Sequence, residues 1–194
     1  MRLSDDEFLA RQAALQAGAA AVLDDLDLLA RIRMVGTPTR TGSSAYGLMV
    51  ARDIDVTTLC PVLDADALFD AIRPLARHDR VRRLAFRNDT GRWNTDPAYP
   101  DGLYWMIEYV AGTGEAWNLD LWFIRDGTTQ FDLEDLRTLP PRLTPETRVA
   151  ILRIKEAVGA RAGDARVRSH LVYAAVLDHG IRTPEEFERH RART

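Results

Sequence analysis

The order of hydrophobic and polar positions predicts a helix at the start of the chain, followed by a short strand and a loop. From Asp5 to about Ala30, apolar side chains recur at helical spacing behind Ser4, a candidate N-cap. The next segment, "RIRMVGTPTRTGSS", alternates briefly and then becomes rich in Gly, Thr and Pro, which predicts a strand running into a functional loop. "SAYGLMVA" can then form two turns of helix.

The middle of the chain carries most of the strand signals. β-branched and aromatic runs predict four strands, of which the last two are separated by "AGTGE" and form an antiparallel hairpin. A helix that is interrupted or started near Pro74, "DADALFDAIRPLARH", follows the first of them, and the segment "NDTGRWNTDPAYPDG" is predicted to be a loop. The four predicted strands are "DIDVTTLCPV", "VRRLAFR", "LYWMIEYV" and "AWNLDLWFI".

Strand signals disappear from Asp132 onward, where the chain reads as helical. Thr144-Pro145 and Thr183-Pro184 each combine a cap with a first-turn proline, and Gly180 is a helix stop. The helical segments are "LTPETRVAILRIKEAVGA", "DARVRSHLVYAAVLDHG" and "TPEEFERHRAR". We therefore predict an α+β fold, a mixed β-sheet flanked by helices, with a domain over residues 1–130 that includes the N-terminal helix and a C-terminal helical annex over 131–194.

Composition narrows the classes of function. With 194 residues and 46% hydrophobic composition, the chain can bury one core with a small annex. A net charge of -3 argues against nucleic acid as the main partner, because binding to phosphate backbones needs a basic face. The single cysteine, Cys60, excludes an internal disulfide. The first residues carry acids rather than bases, and no apolar run approaches the roughly 20 residues of a membrane span, so we expect a cytoplasmic protein.

Three carboxylates and a Gly-Ser pair carry the candidate chemistry. Asp53 and Asp55 share one face of a predicted strand because side chains repeat every two residues, and Asp120 lies in another predicted strand. Carboxylate oxygens are the ligands that Mg²⁺ prefers, and this ion is commonly bound together with substrate phosphates. Backbone amides at a helix start bind phosphate oxygens, which glycine lets approach closely, so Gly42-Ser43 is a candidate phosphate site.

These residues resemble the signature of the polymerase-beta-type nucleotidyltransferase superfamily. That signature is Gly followed by Gly or Ser and, after a short interval, Asp-hydrophobic-acid-hydrophobic; here Gly42-Ser43, nine residues and Asp53-Ile54-Asp55-Val56 match it. Thr41 departs from the pattern, since a hydrophobic residue usually precedes the glycine. The strands around the motif extend the resemblance to roughly residues 30–127. The N-terminal helix and the helical annex are similar to the layout of bacterial small-molecule nucleotidyltransferases, including antibiotic-modifying ones.

The resemblance implies a nucleotidyltransferase-like fold and a magnesium-dependent activity. A nucleoside monophosphate would pass from a nucleoside triphosphate to a hydroxyl of a small-molecule acceptor, and the acidic stretches "TDPAYPDG" and "GTGE" would suit a cationic one. Asp53, Asp55 and Asp120 are the expected metal ligands and catalytic residues, with Asp120 completing a two-metal site or acting as general base. The residues expected to bind the nucleotide are Gly42, Ser43, Ser44 and Lys155.

Other interpretations of these residues stay open at this stage. The acids could be solvated at strand ends, Gly42-Ser43 could be an ordinary turn, and Lys155, the only lysine, could be exposed. Glu108 is an alternative base or an edge residue. Six arginines between residues 73 and 87 read as a solvated face. A non-catalytic or regulatory protein acting through a protein partner, as in toxin–antitoxin pairs, and an enzyme that modifies proteins are the alternative functions.

Overall fold

The centre of the molecule is a five-stranded mixed sheet with helices packed against it, as seen in a computed structural model that describes residues 3–96, 98–128, 130–159 and 167–193. In spatial order the strands run β1-β2-β5-β4-β3; β2 and β5 are parallel and every other pair is antiparallel. This arrangement confirms the predicted α+β class and the hairpin. The strands are β1 (Thr37–Thr41), β2 (Asp53–Cys60), β3 (Val81–Asp89), β4 (Gly102–Val110) and β5 (Ala116–Arg125).

Helices precede the sheet, connect some of its strands and follow it. Within the described residues none is both long and apolar enough to cross a membrane. Short 3₁₀ turns cover Arg73–Arg77, Gly91–Trp93 and Pro140–Arg142. The α-helices are α1 (Asp5–Asp25), α2 (Leu28–Ile32), α3 (Gly42–Tyr46), α4 (Ala65–Ile72), α5 (Phe131–Thr138), α6 (Pro145–Gly159), α7 (Ser169–Leu177) and α8 (Pro184–Arg191).

Two predicted helices are shorter than the sequence indicated. The first ends at Asp25 rather than near Ala30, because Asp27 adopts a left-handed conformation (φ 49°) between α1 and α2. The second starts at Gly42 and stops at Tyr46, because Gly47 is left-handed (φ 70°) and ends the helix there. The predicted interruption near Pro74 is confirmed, since α4 gives way to a 3₁₀ turn at Arg73. The part of the predicted annex helix over 164–166 lies outside the described residues.

Two hydrophobic clusters hold the elements together. One lies between the sheet and helices α1, α2 and α4, with Ile54, Leu119 and Leu121 at its centre. The other joins the annex helices α6, α7 and α8 to Tyr46 and Leu48, at and just after α3. The annex therefore packs against the segment that carries Gly42-Ser43. The division of the chain at residue 130 stays a proposal.

Candidate metal centre

The parallel pairing of β2 with β5 brings the three predicted carboxylates together. Asp55 lies opposite Asp120 across this pair, and Asp53 precedes Asp55 by two residues on the same face. Asp53, Asp55 and Asp120 each offer a carboxylate oxygen, and these oxygens lie within 4.8 Å of one another. All three side chains are partly buried. The spacing is therefore suited to one cation, or to two close together, held by three carboxylates.

Asn118 and Tyr104, which the sequence analysis did not single out, orient the cluster. Asn118 Nδ2 donates to Asp53 Oδ1 at 3.1 Å and to Asp120 Oδ1 at 3.2 Å, while the Tyr104 hydroxyl donates to Asp120 Oδ1 at 2.5 Å. Asn118 precedes Asp120 by two residues on β5, and Tyr104 lies on the neighbouring strand β4. In "NLDLW" the polar residues alternate with apolar ones, and this pattern could have placed Asn118 on the same strand face as Asp120.

Among the described residues, burial and the neighbouring carboxylates dominate the electrostatics of Asp55. Burial, and then the charges of Asp53 and Asp120, raise the pKa of Asp55 to about 7 from its ordinary value of 3.8. Lys155 opposes this shift, although its effect is the smallest. A bound divalent cation would remove the repulsion and favour the ionised carboxylates. The donor set and its charge therefore fit Mg²⁺, with Asp53, Asp55 and Asp120 as the residues that would hold it.

The Gly-Ser segment begins at the end of β1, where α3 starts. Gly42 is left-handed (φ 61°), a conformation that strains other residues. Ser43 faces a cavity of about 320 Å³ that Asp53 also lines. Ser44, in contrast, is fully buried and donates its hydroxyl to the Thr41 carbonyl at 3.2 Å, which argues against the predicted contact of that side chain with a nucleotide. Thr41 is itself buried, with its hydroxyl 3.4 Å from that of Thr57.

Lys155, on α6, also lines this cavity. It is only 8% exposed, which excludes the solvated alternative, and Nζ donates to the Leu48 carbonyl at 2.8 Å and to the Tyr173 hydroxyl at 3.4 Å. Burial lowers the pKa of Lys155 to about 8, against the opposing effect of Asp55 and Asp53. Ser169, from the start of α7, completes this polar wall. The cavity thus joins a lysine and two serines to one edge of the acidic cluster.

Glu108 and two of the arginines between residues 73 and 87, Arg80 and Arg82, form ion pairs that do not involve the three aspartates. Glu108 lies on β4 opposite Asn118, and its carboxylate accepts from the exposed Arg82 at 2.8 Å, so the structure does not gather it with the three aspartates. Arg80 pairs with Asp25. Glu115, from the "GTGE" stretch that was expected to suit a cationic acceptor, pairs with Arg52 on the flank of a groove beside α1.

The sequence matches no protein-family model, and a search of curated proteins also finds no match. Solved structures do match. One is Cid1 described as an RNA terminal uridylyl transferase, with 18% sequence identity, coverage of 90% of this chain and 47% of that chain, and a TM-score of 0.54. Another is Cid1 described as a poly(U) polymerase, with 16% identity, coverage of 91% of this chain and 55% of that chain, and a TM-score of 0.55. A third is the STING-associated c-di-GMP synthase CdnE from Capnocytophaga granulosa, with 9% identity, coverage of 83% of this chain and 59% of that chain, and a TM-score of 0.52. The chain thus shares the nucleotidyltransferase-like fold of these solved structures, a mixed sheet with flanking helices, and spans about half the length of these proteins.

Proposed function

We propose that the protein transfers a nucleoside monophosphate from a nucleoside triphosphate to a hydroxyl of a small-molecule acceptor, in a reaction that depends on magnesium. The observation that carries the proposal is the convergence of Asp53, Asp55 and Asp120 within 4.8 Å, beside a cavity walled by Ser43 and Lys155. Carboxylates next to a polar, partly cationic cavity suit a metal-bound triphosphate better than any other common ligand.

The three aspartates would hold the metal, which when bound neutralises phosphate charge and favours attack at the α-phosphorus. Ser43 and the backbone at the start of α3 would bind the outer phosphates. Lys155 Nζ has three N–H groups and uses two of them within the protein, so one remains to donate to a phosphate oxygen. Its fixed position between Leu48 and Tyr173 orients the triphosphate relative to the carboxylates.

Asp120 is the proposed general base. Tyr104 and Asn118 both donate to Oδ1, which holds the carboxylate in one orientation and leaves Oδ2 to accept the proton of the acceptor hydroxyl. The hydroxyl oxygen then forms a bond to the α-phosphorus, the bond from that phosphorus to the bridging oxygen breaks, and diphosphate leaves with the electron pair. The alternative base, Glu108, is engaged by Arg82.

A small acceptor is favoured by the surface beside the cluster. The Cζ atom of Arg87 lies 4.6 Å from the centroid of the Tyr104 ring, and its Nη2 lies 2.7 Å from Asp89 Oδ2. Because this guanidinium is already paired, it is not a free cation for a nucleic acid backbone. With a net charge of -3, the chain offers little electrostatic attraction to a polyanion. The layout of N-terminal helix, sheet and annex is similar to that of small-molecule nucleotidyltransferases, and an antibiotic is among the acceptors that we propose.

Thermal unfolding with magnesium and each of the four common triphosphates tests the proposal. Metal and nucleotide together should raise the melting temperature more than either does alone, because the ion joins phosphate to carboxylate and only the native state binds the pair.

Asp53→Asn should abolish this gain, while the exposed Asp79→Asn should retain it. Asp120→Asn should spare nucleotide binding more than turnover if Asp120 is the base, and impair both if it is chiefly a metal ligand. An unchanged melting curve with all four nucleotides would exclude the proposed activity.

A further inference from the structure

A second cavity, of about 560 Å³, lies next to the acidic cluster and is not used by the triphosphate site. It is bounded by the end of β5, the start of α5 and the start of α7, and by residues 98–100. Ser169 lines the first cavity and the next residue, His170, lines the second, so the start of α7 contributes to both. Trp122, two residues beyond Asp120 on β5, lines the second cavity as well. A nucleotide bound across the start of α7 would have its phosphates in the first cavity and its base in the second.

The walls of the second cavity are aromatic. Trp122, Tyr99 and Phe131 line it, and the rings of Tyr99 and Phe131 meet at 77° with their centroids 6.1 Å apart. Phe131 is 60% exposed, which is unusual for an aromatic side chain of this size. Flat, apolar walls of this kind bind a planar ring through stacking.

Gln130, Asp132 and Asp135, which we call the floor of this cavity, carry hydrogen-bond acceptors. Gln130 is 7% exposed, and its Nε2 donates to Asp132 Oδ2 at 2.7 Å. Gln130 Oε1 is buried and has no hydrogen-bond partner among the described residues. Asp135 contributes a second carboxylate, and burial raises the pKa of both Asp132 and Asp135. An unpaired buried acceptor destabilises the protein until a donor reaches it, so this floor calls for a ligand with N–H groups.

We propose that this cavity binds the base of the donor nucleotide and selects guanine through Gln130 and Asp132. Guanine presents an N1–H group and an adjacent amino group on one edge, which match two neighbouring acceptors. Adenine and cytosine each present one amino group beside a ring acceptor, and uracil presents a single N–H between two carbonyls, which a carboxylate repels. His170 and Arg168, on the same cavity, can donate to the O6 and N7 atoms of guanine. The inference rests on the proposed function, because it places the phosphates at the aspartate cluster.

The test is a titration of the full chain, with magnesium, using the α,β-methylene analogues of GTP, ATP, CTP and UTP, which bind without being cleaved. The GTP analogue should bind at least about tenfold more tightly than the UTP analogue, since each hydrogen bond to a charged group contributes about that much selectivity. Asp132→Asn places an amide donor at the floor and should reduce the preference for guanine to about threefold or less. Gln130→Met, which removes the unpaired acceptor, should weaken the GTP analogue selectively.

Glu134→Gln is the matched control, because it removes one exposed carboxylate from the same helix, α5, outside the cavity. It should leave all four affinities unchanged. Equal binding of the four analogues by the parent, a preference for uridine, or an unchanged preference in Asp132→Asn would overturn guanine selection and leave the proposed transfer intact. Failure of every analogue to bind with magnesium would instead remove both proposals.

Discussion

Gly42 and Asp55 are in direct contact: a Cβ built on Gly42 would lie 2.0 Å from Asp55 Oδ2. The contact follows from the antiparallel pairing of β1 with β2, which sets Thr41 opposite Asp55 and so brings the residue after Thr41 onto the carboxylate. The glycine therefore has a second role beside the approach to phosphate, since it leaves room for the acid. This relationship explains in physical terms why a Gly-Ser pair and an aspartate pair occur at this separation.

Gly42→Ala should lower the free energy of unfolding by about 3 kcal/mol, because it adds a clash with Asp55 to the strain of a left-handed residue. The displaced carboxylate should also lose its part in metal binding, so added magnesium and triphosphate should no longer stabilise the variant. Urea denaturation with and without these ligands measures both effects.

Gly91→Ala separates strain from the clash. Gly91 is also left-handed (φ 53°), but a Cβ there would meet nothing within 4 Å. This variant should lose only about 1 kcal/mol and keep the full effect of magnesium with triphosphate. If the two alanine variants behave alike, the contact between Gly42 and Asp55 has no consequence for the metal centre.

Adjacent serines should respond differently to removal of the hydroxyl. Ser43→Ala should keep the stability of the parent and weaken triphosphate binding about fivefold, the effect of one lost hydrogen bond. Ser44→Ala should instead reduce stability by about 1 kcal/mol, because its buried hydroxyl donates to the Thr41 carbonyl. Calorimetric titration and thermal unfolding distinguish the two. A loss of stability in Ser43→Ala would make this serine a structural part of the turn.

Asp55→Asn should stabilise the metal-free protein in a way that depends on pH. The native pKa of about 7 lies above the ordinary value of 3.8, so the parent loses stability as the pH rises from about 4 to about 7. The asparagine variant does not titrate at this position, so its advantage should grow by about 4 kcal/mol through that window, at about 1.4 kcal/mol for each pKa unit, and level off above it. Denaturation between about pH 4 and pH 8 without metal measures the difference.

Magnesium gives the complementary result. At a pH above about 7 the metal with triphosphate should stabilise the parent and leave Asp55→Asn unchanged, because the variant has lost a ligand. Asp79→Asn, at an exposed position, should show neither the pH-dependent gain nor the loss of the metal effect. A constant difference between Asp55→Asn and the parent at every pH would mean that the carboxyl is not perturbed by its neighbours.

Local patterns were enough to predict the strands and the pairing of two acids. Alternation alone sets Asp53 and Asp55 on one face of β2, and the aromatic runs around "AGTGE" specify the hairpin of β4 and β5. The helix ends at Asp27 and Gly47 were not predicted, because a left-handed residue inside an otherwise helical pattern leaves little trace in hydrophobic spacing.

Long-range contacts decided the rest. The position of Asp120 opposite Asp55 depends on the parallel pairing of β2 with β5, which are separated in sequence by two other strands. Lys155 is buried because α6 packs against the segment after α3, where the Leu48 carbonyl accepts a hydrogen bond from Nζ. No local pattern distinguishes this face of α6 from a solvated one. The same limit applied to Glu115, whose partner Arg52 lies far from it in sequence.

Tyr104→Phe should loosen Asp120 while leaving the sheet intact. The hydroxyl donates to Asp120 Oδ1 at 2.5 Å, and burial together with this bond raises the pKa of Tyr104, which keeps the group protonated as a donor. The phenylalanine retains the contact with the Trp122 ring, whose centroid is 4.9 Å away. We expect the magnesium concentration for half-maximal stabilisation, measured with a triphosphate present, to rise about threefold to tenfold.

Tyr109→Phe, on the same strand, removes a hydroxyl that donates to Asp25 at 2.8 Å and should reduce stability by about 1 kcal/mol without changing that concentration. An equal response to magnesium in the two variants would show that Tyr104 does not position the third carboxylate.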